Sequence, residues 1–252
     1  MKLISLNIEC NKHYLRNIPF LLKENPDVIC LQEVLEEDFR YLQKELGQNG
    51  IYKSWKYFDS RHDHHKDMYA KRFGNAIFSR SIIASGHYYY WGKEEYSIVP
   101  FGEYVKRQEE LKNYVLLWAD IRDKDGEVHR IVTTHFPATV RGESTPHQLE
   151  LMVPFFEKLD SLGEFVLCGD FNAPRGNETF SRLAKKYSDA VPSHYKTSID
   201  NSLHRNGYEN IIFMVDGLFL TEAYEAHDVV LIDGVSDHMA IRATITKKQN
   251  EM

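Results

Sequence analysis

The chain has 252 residues, 42% of them hydrophobic, which suffices to bury the core of one large layered domain over 1–252. A formal charge of −6 argues against a protein that grips nucleic acid by broad electrostatic attraction, although bound divalent cations can reverse the local sign of an acidic site. Three cysteines cannot all pair, and Cys30 and Cys168 stand in apolar runs, so neither a disulfide framework nor a cysteine zinc site is indicated.

In chain order, the opening "MKLISLNIEC" is too short, and too interrupted by Asn7 and Glu9, for a signal peptide, and no run approaches the roughly 20 apolar residues of a membrane helix. A soluble, cytoplasmic, monomeric protein with no membrane or protein partner is expected. Within that segment "KLISLNI" reads as a strand, followed by a helix in "YLRNIPFLLKEN" that must stop before Pro26. "DVICLQEV" reads as the next strand, and "EEDFRYLQKELG" as a helix closing on Gly47. Two polar stretches, 52–74 and 91–113, look like insertions that serve substrate selection. The first holds His62, His64 and His65, which read as a solvated loop because no further ligand spacing supports zinc. "GNAIFSR", "YVLLWADI" and "HRIVTTHF" are strand-like. A third helix, 145–163, has Thr145 as its cap, Pro146 in its first turn and a kink expected at Pro154. "FVLCGDFN", "DGLFL" and "MAIRATI" complete the strands. Strands outnumber helices and often follow one another directly, which predicts stacked mixed sheets with helices outside.

Polar residues recur at the ends of these apolar runs. Asn7 follows "LISL", Glu33 follows "DVICLQ", His135 follows "RIVTT", Asp170 and Asn172 follow "FVLCG", and Asp237 and His238 precede "MAIRATI". Each alone is an ordinary turn residue, helix-start charge or core histidine. Together they offer carboxylates, amides and imidazoles, a set that suits a hard cation such as Mg²⁺ or Mn²⁺ better than a thiolate-preferring metal. Mg²⁺ keeps positions for water and phosphate oxygens, so phosphoryl chemistry is its natural use. Asp216 in "FMVDGLFL" reads either as a turn acid or as a carboxylate that orients a histidine.

The ordered set "LISLNI", "DVICLQEV", "GNAIFSR", "TTHF", "LCGDFNAP", "MVDGLF" and "GVSDHMAI" resembles the endonuclease/exonuclease/phosphatase superfamily, which includes deoxyribonuclease I, exonuclease III, neutral sphingomyelinases and inositol polyphosphate phosphatases. The resemblance spans nearly the whole chain. It implies an α/β (α+β) fold of deoxyribonuclease I type: a four-layer α/β/β/α sandwich, two mixed sheets packed face to face with outer helices, and a site at one edge. It also implies a Mg²⁺- or Mn²⁺-dependent hydrolase, with one or two ions, acting on a phosphate ester by in-line attack of water. By resemblance, Glu33 is the principal metal-binding acid with Asn7 and Asp237 near the ion. His238 contacts the scissile phosphate and is oriented by Asp216. Asp170 positions or deprotonates the attacking water, Asn172 holds a phosphate oxygen, and His135 is a second acid–base group or phosphate contact. The base is left open between Asp170 and His238, because an aspartate with a pKa of about 3.9 is a poor base unless its surroundings raise that value.

Arg72 and Arg107 are candidate substrate contacts, against the default of solvated surface charges. "GDFNAPRGNETF" lacks the "N-x-A-H" pattern, and "VSDHMAI" the "GSDHCP" form, of abasic-site endonucleases. That lowers the abasic-site reading, and a hydrolase of a phosphodiester or phosphomonoester is the best description. A nuclease acting on DNA or RNA is the alternative, and an inactive phosphate-ligand-binding module the competitor from another class.

Overall fold

The computed structural model describes residues 1–58, 71–92 and 113–248. Among them, two six-stranded mixed sheets are formed. The first runs β11 (Tyr224–Ile232), β12 (Ala240–Lys247), β1 (Lys2–Asn7), β2 (Val28–Leu35), β4 (Lys71–Ser79) and β3 (Asn49–Phe58). The second runs β5 (Ile82–Trp91), β6 (Tyr114–Arg122), β7 (Val128–His135), β8 (Val166–Asp170), β10 (Asp216–Leu220) and β9 (Ser188–Asp189). Each sheet has a parallel pair at its centre, β1 with β2 and β7 with β8, and its other strand pairs are antiparallel.

Side-chain alternation stacks these sheets into layers. On β1 and β2, Leu3, Val28 and Cys30 face inward and share a core with Ile131, Val166, Cys168 and Leu218 of the second sheet. The intervening Ile4, Leu6, Ile29 and Leu31 face outward, onto Ile18 and Leu21 of α1 (Tyr14–Glu24) and Leu42 and Leu46 of α2 (Phe39–Leu46). The second sheet does the same. Its Val132, Leu167 and Phe219 face Leu151, Phe155 and Leu159 of α3 (Pro146–Ser161) and Phe180 and Leu183 of α4 (Glu178–Lys186). Burying each such side chain contributes roughly 1.5–3 kcal/mol, so both sheets are held on both faces. This is the four-layer order that the family resemblance implies.

Thr145 caps α3 by accepting from the Gln148 N–H at 3.1 Å, and α3 runs through Pro154 without a break. The stretch 52–74 departs from the insertion reading: its beginning belongs to β3 and its end to β4. Five elements have no sequence forecast, namely β3, β5, β9, β11 and α4. β5 and β11 are edge strands, largely half-buried or exposed, so they carry no clean apolar alternation. His62, His64, His65 and Arg107 lie outside the described residues. No helix among those described is long and apolar enough to cross a membrane.

Candidate active site

The inward parity of β1 continues from Leu3 through Ser5 to Asn7, where the strand ends. Across the gap, the second sheet's register pairs His135 with Asp170 and Asp170 with Asp216. Three groups from three strands thus form one row at one rim. The Asn7 Nδ2–H donates to Asp170 Oδ2 at 3.1 Å, joining the sheets at that rim. One step deeper, Gln32 Nε2–H donates to Thr133 Oγ1 at 3.0 Å.

Glu33 reaches the same rim through a backbone irregularity. Strict alternation from inward-facing Gln32 would turn Glu33 outward and Val34 inward, yet Val34 packs with the helices. The β2–β4 register passes from Leu31 opposite Ala76 to Val34 opposite Gly74, so β2 carries one extra residue. Glu33 has φ 59°, a left-handed conformation that re-aims its carboxylate. The result is a contact of 3.2 Å between Glu33 Oε1 and His135 Nε2.

Gly169 explains why "FVLCGDFN" interrupts its apolar run. A Cβ there would lie 2.1 Å from the Thr134 carbonyl oxygen of the neighbouring strand, and its φ of +148° is one that side chains disfavour. Glycine lets β8 press against β7 and carry Asp170 to the rim. Beyond it, the Asn172 N–H donates to Asp170 Oδ1 at 2.8 Å, and Asn172 Nδ2–H donates to the Phe136 carbonyl at 2.8 Å.

Asp237 and His238 are delivered by the turn before β12. Residues 198–200 clamp this turn: the Asp200 N–H donates to the Asp237 carbonyl at 2.9 Å, and the Met239 N–H to the Ser198 carbonyl at 2.7 Å. Buried Ser198 also accepts from the N–H groups of Val215 and Asp216 through its hydroxyl, at 3.1 Å each, so one serine ties the start of β10, which bears Asp216, to the turn that bears Asp237 and His238. His238 Nδ1 meets Asp216 Oδ2 at 2.7 Å, and its Nε2 lies 3.8 Å from Asp170 Oδ2.

The electrostatics separate these groups. Burial pushes the Asp170 carboxyl up, the nearby Asp216 adds to this, and His238, His135 and the Asn172 N–H oppose it. Burial alone would depress His238, but Asp216 and Asp170 outweigh it and hold its pKa well above the usual imidazole value. Asp237 is raised to about 6, mainly by burial and then by the charges of Glu9 and Glu33.

Glu9, His13 and Asp237 bring ligand atoms within 4.8 Å of one another, and so do Asp170, Asp216 and His238. Asp237 and Asp170, each raised in part by neighbouring carboxylates, sit in sets whose crowded charge a cation would relieve, and an oxygen-rich set is the chemistry of a hard divalent ion. Glu9, His13, Ser198 and Trp55, whose ring stacks on His135, escape the sequence reading. For Glu9, its place two residues after Asn7 was the available signal. Arg72 is exposed and pairs with Glu36 at 3.4 Å.

No curated protein matches the chain significantly in sequence. Solved structures share its fold. A functionally unknown conserved protein of Enterococcus faecalis V583 superposes with a TM-score of 0.71 at 15% identity, covering 98% of this chain and 100% of that one. The mannosyl-6-phosphatase Bt3783 of Bacteroides thetaiotaomicron VPI-5482 gives 0.65 at 14% identity, covering 98% and 99%. The human nocturnin catalytic domain, solved with bound sulfate, gives 0.66 at 17% identity, covering 98% and 93%. The model of the Endonuclease/Exonuclease/phosphatase family matches residues 4–238. With its two face-to-face mixed sheets and the matched span reaching from β1 to His238, the chain belongs to the endonuclease/exonuclease/phosphatase family, whose members are hydrolases acting on phosphoester bonds.

Proposed function

We propose that the protein is a divalent-metal-dependent phosphoesterase that hydrolyses a phosphodiester or phosphomonoester by in-line attack of water on phosphorus. The observation that carries this reading is the row of His135, Asp170 and Asp216, with His238 seated on Asp216 and Asn7 bonded across the gap. Glu33 and Asp237, with Asn7 nearby, would hold Mg²⁺ or Mn²⁺, as one or two ions. Such a cation, when bound, supplies Lewis-acid stabilisation of charge on phosphate oxygens.

The chain's own groups divide the remaining work. Asp170 is the base: burial makes its carboxylate more basic than usual, and two donors, Asn7 and Asn172, fix its orientation. His238, between Asp216 and Asp170, carries a proton and donates from Nε2 to a phosphate oxygen. Asn172, held by Phe136, has a second amide hydrogen for another phosphate oxygen. His135 is the further phosphate contact, and Arg72 and Arg107 are proposed as additional substrate contacts. Within this proposal the protein is a single-domain, cytoplasmic monomer.

The sulfate held by nocturnin and the sugar phosphate named for the Bacteroides enzyme support a small anionic ester as substrate. The test is Mn²⁺- or Mg²⁺-dependent release of p-nitrophenol from bis(p-nitrophenyl) phosphate and p-nitrophenyl phosphate. Glu33→Ala and His238→Ala should each abolish it. Metal binding without turnover of any phosphate ester would instead support a binding module. A panel of DNA, RNA, nucleotides and sugar phosphates separates nuclease from small-ester hydrolase.

A further inference from the structure

The two histidines of the site are held differently. His238 has the usual arrangement, in which the nitrogen not facing the substrate is anchored by a carboxylate, here Asp216 at 2.7 Å. His135 has no such anchor. Its Nε2 lies 3.2 Å from Glu33 Oε1 and 3.6 Å from Asp170 Oδ2, while its buried Nδ1 finds no hydrogen-bond partner among the described residues. An imidazole tethered at one nitrogen can still swing about that contact. What meets its ring is Trp55, stacked at 4.5 Å between centroids with an interplanar angle of 18°.

Trp55 reaches this position through a second bulge. The β3–β4 register passes from Ser54 opposite Gly74 to Lys56 opposite Phe73, which makes Trp55 the extra residue of β3. It is buried with Cys10, Leu35, Phe73 and Val115. Bulges in two strands of the first sheet therefore act on one histidine of the second: Glu33 meets its edge and Trp55 its face. Filling a small core would account for the burial of Trp55 but not for near-parallel stacking on a site imidazole.

We propose that Trp55 is a positioning residue for His135, its indole face holding the imidazole so that Nε2 stays between Glu33 and Asp170. The kinetic test rests on the phosphoesterase reading above. Trp55→Leu should lower kcat about tenfold or more with KM within about twofold, since small misplacements of a reacting group cost rate rather than ground-state affinity. Trp55→Phe, which keeps a flat face, should stay within about threefold of the unmodified enzyme. In a His135→Ala background, Trp55→Leu should cost nothing further, because residues that act through one another are not additive. Equal losses from Trp55→Leu in both backgrounds, or equal activities of the phenylalanine and leucine variants, would overturn the proposal. Trp55→Met, unbranched and without a ring face, replaces the leucine variant if that one does not fold.

An unmodified protein that turns over no phosphate ester sinks the phosphoesterase reading but leaves this one to NMR. The Cε1–H of His135 should then report a ring ordered on the picosecond-to-nanosecond timescale that loosens in Trp55→Leu. A ring equally ordered in both proteins would refute the positioning role.

Discussion

Two substitutions at Glu33 isolate the backbone cost of aiming its carboxylate. Glu33→Gly and Glu33→Ala remove the same charge, the same contact with His135 and the same repulsion toward Asp237. They differ only in how they tolerate φ 59°. A residue with a Cβ loses about 1–2 kcal/mol in the left-handed region. Glycine enters it freely but loses about 0.5–1 kcal/mol more entropy on folding than alanine. The glycine variant should therefore be the more stable by about 0.5–1 kcal/mol, on the order of 2 °C in Tm for a chain of this size. At a regular strand position the order is the reverse, with alanine ahead. Urea and thermal unfolding, followed by circular dichroism without divalent cations, measure the difference. An alanine variant as stable as the glycine one, or more so, would refute the assignment of Glu33 to a strained bulge. Both variants should lack Mn²⁺-dependent hydrolysis, so any stability gained by glycine comes at the expense of function.

Asp237 gives the pH prediction. With its pKa raised to about 6, cations compete with a proton there, and apparent Mn²⁺ affinity measured by calorimetry should fall about tenfold from pH 7 to pH 5. Because the folded value lies above the unfolded one, Asp237 favours the metal-free fold fully below about pH 4, and that contribution is lost as pH rises through about 6. Asp237→Asn should flatten this slope in a series of melting temperatures. Gly169→Ala places a Cβ 2.1 Å from the Thr134 carbonyl and should cost about 3 kcal/mol or more, read as loss of soluble expression or a sharply lowered Tm. An alanine variant that melts with the parent would contradict the close strand approach. Asp216→Asn should leave the fold intact and lower kcat about 10²- to 10⁴-fold, because His238 loses its anchor at 2.7 Å. Thr145→Ala removes the cap of α3 and should cost about 1 kcal/mol, a control with no effect on turnover.

The layers were legible because "LISL", "VICL" and "FVLCG" are buried on both faces and read as continuous apolar runs. Asn7, His135, Asp170 and Asp216 stood out because a polar group ending such a run violates the burial preference around it. Glu33 stood out for the same reason, although its inward aim depends on a bulge that no periodicity announces. Trp55 stayed hidden because its bulge breaks the alternation of "IYKSWKYF", so the stretch read as loop. Edge strands β5 and β11 left little trace, since half-exposed strands need no apolar pattern. The clamp of Ser198 on two distant turns is a long-range backbone arrangement, and nothing local in "KTSID" encodes it.

The spacing between the two sheets is set in the middle of the sandwich, where Cys30 and Cys168 lie against each other among Leu3, Ile131 and Val166. Asn7 with Asp170, and Glu33 with His135, straddle that same spacing at the rim. The rim thus works as a caliper: a bulkier side chain at either cysteine would wedge the layers apart and lengthen both cross-gap contacts together. Turnover would then register a widening too slight to unfold the molecule.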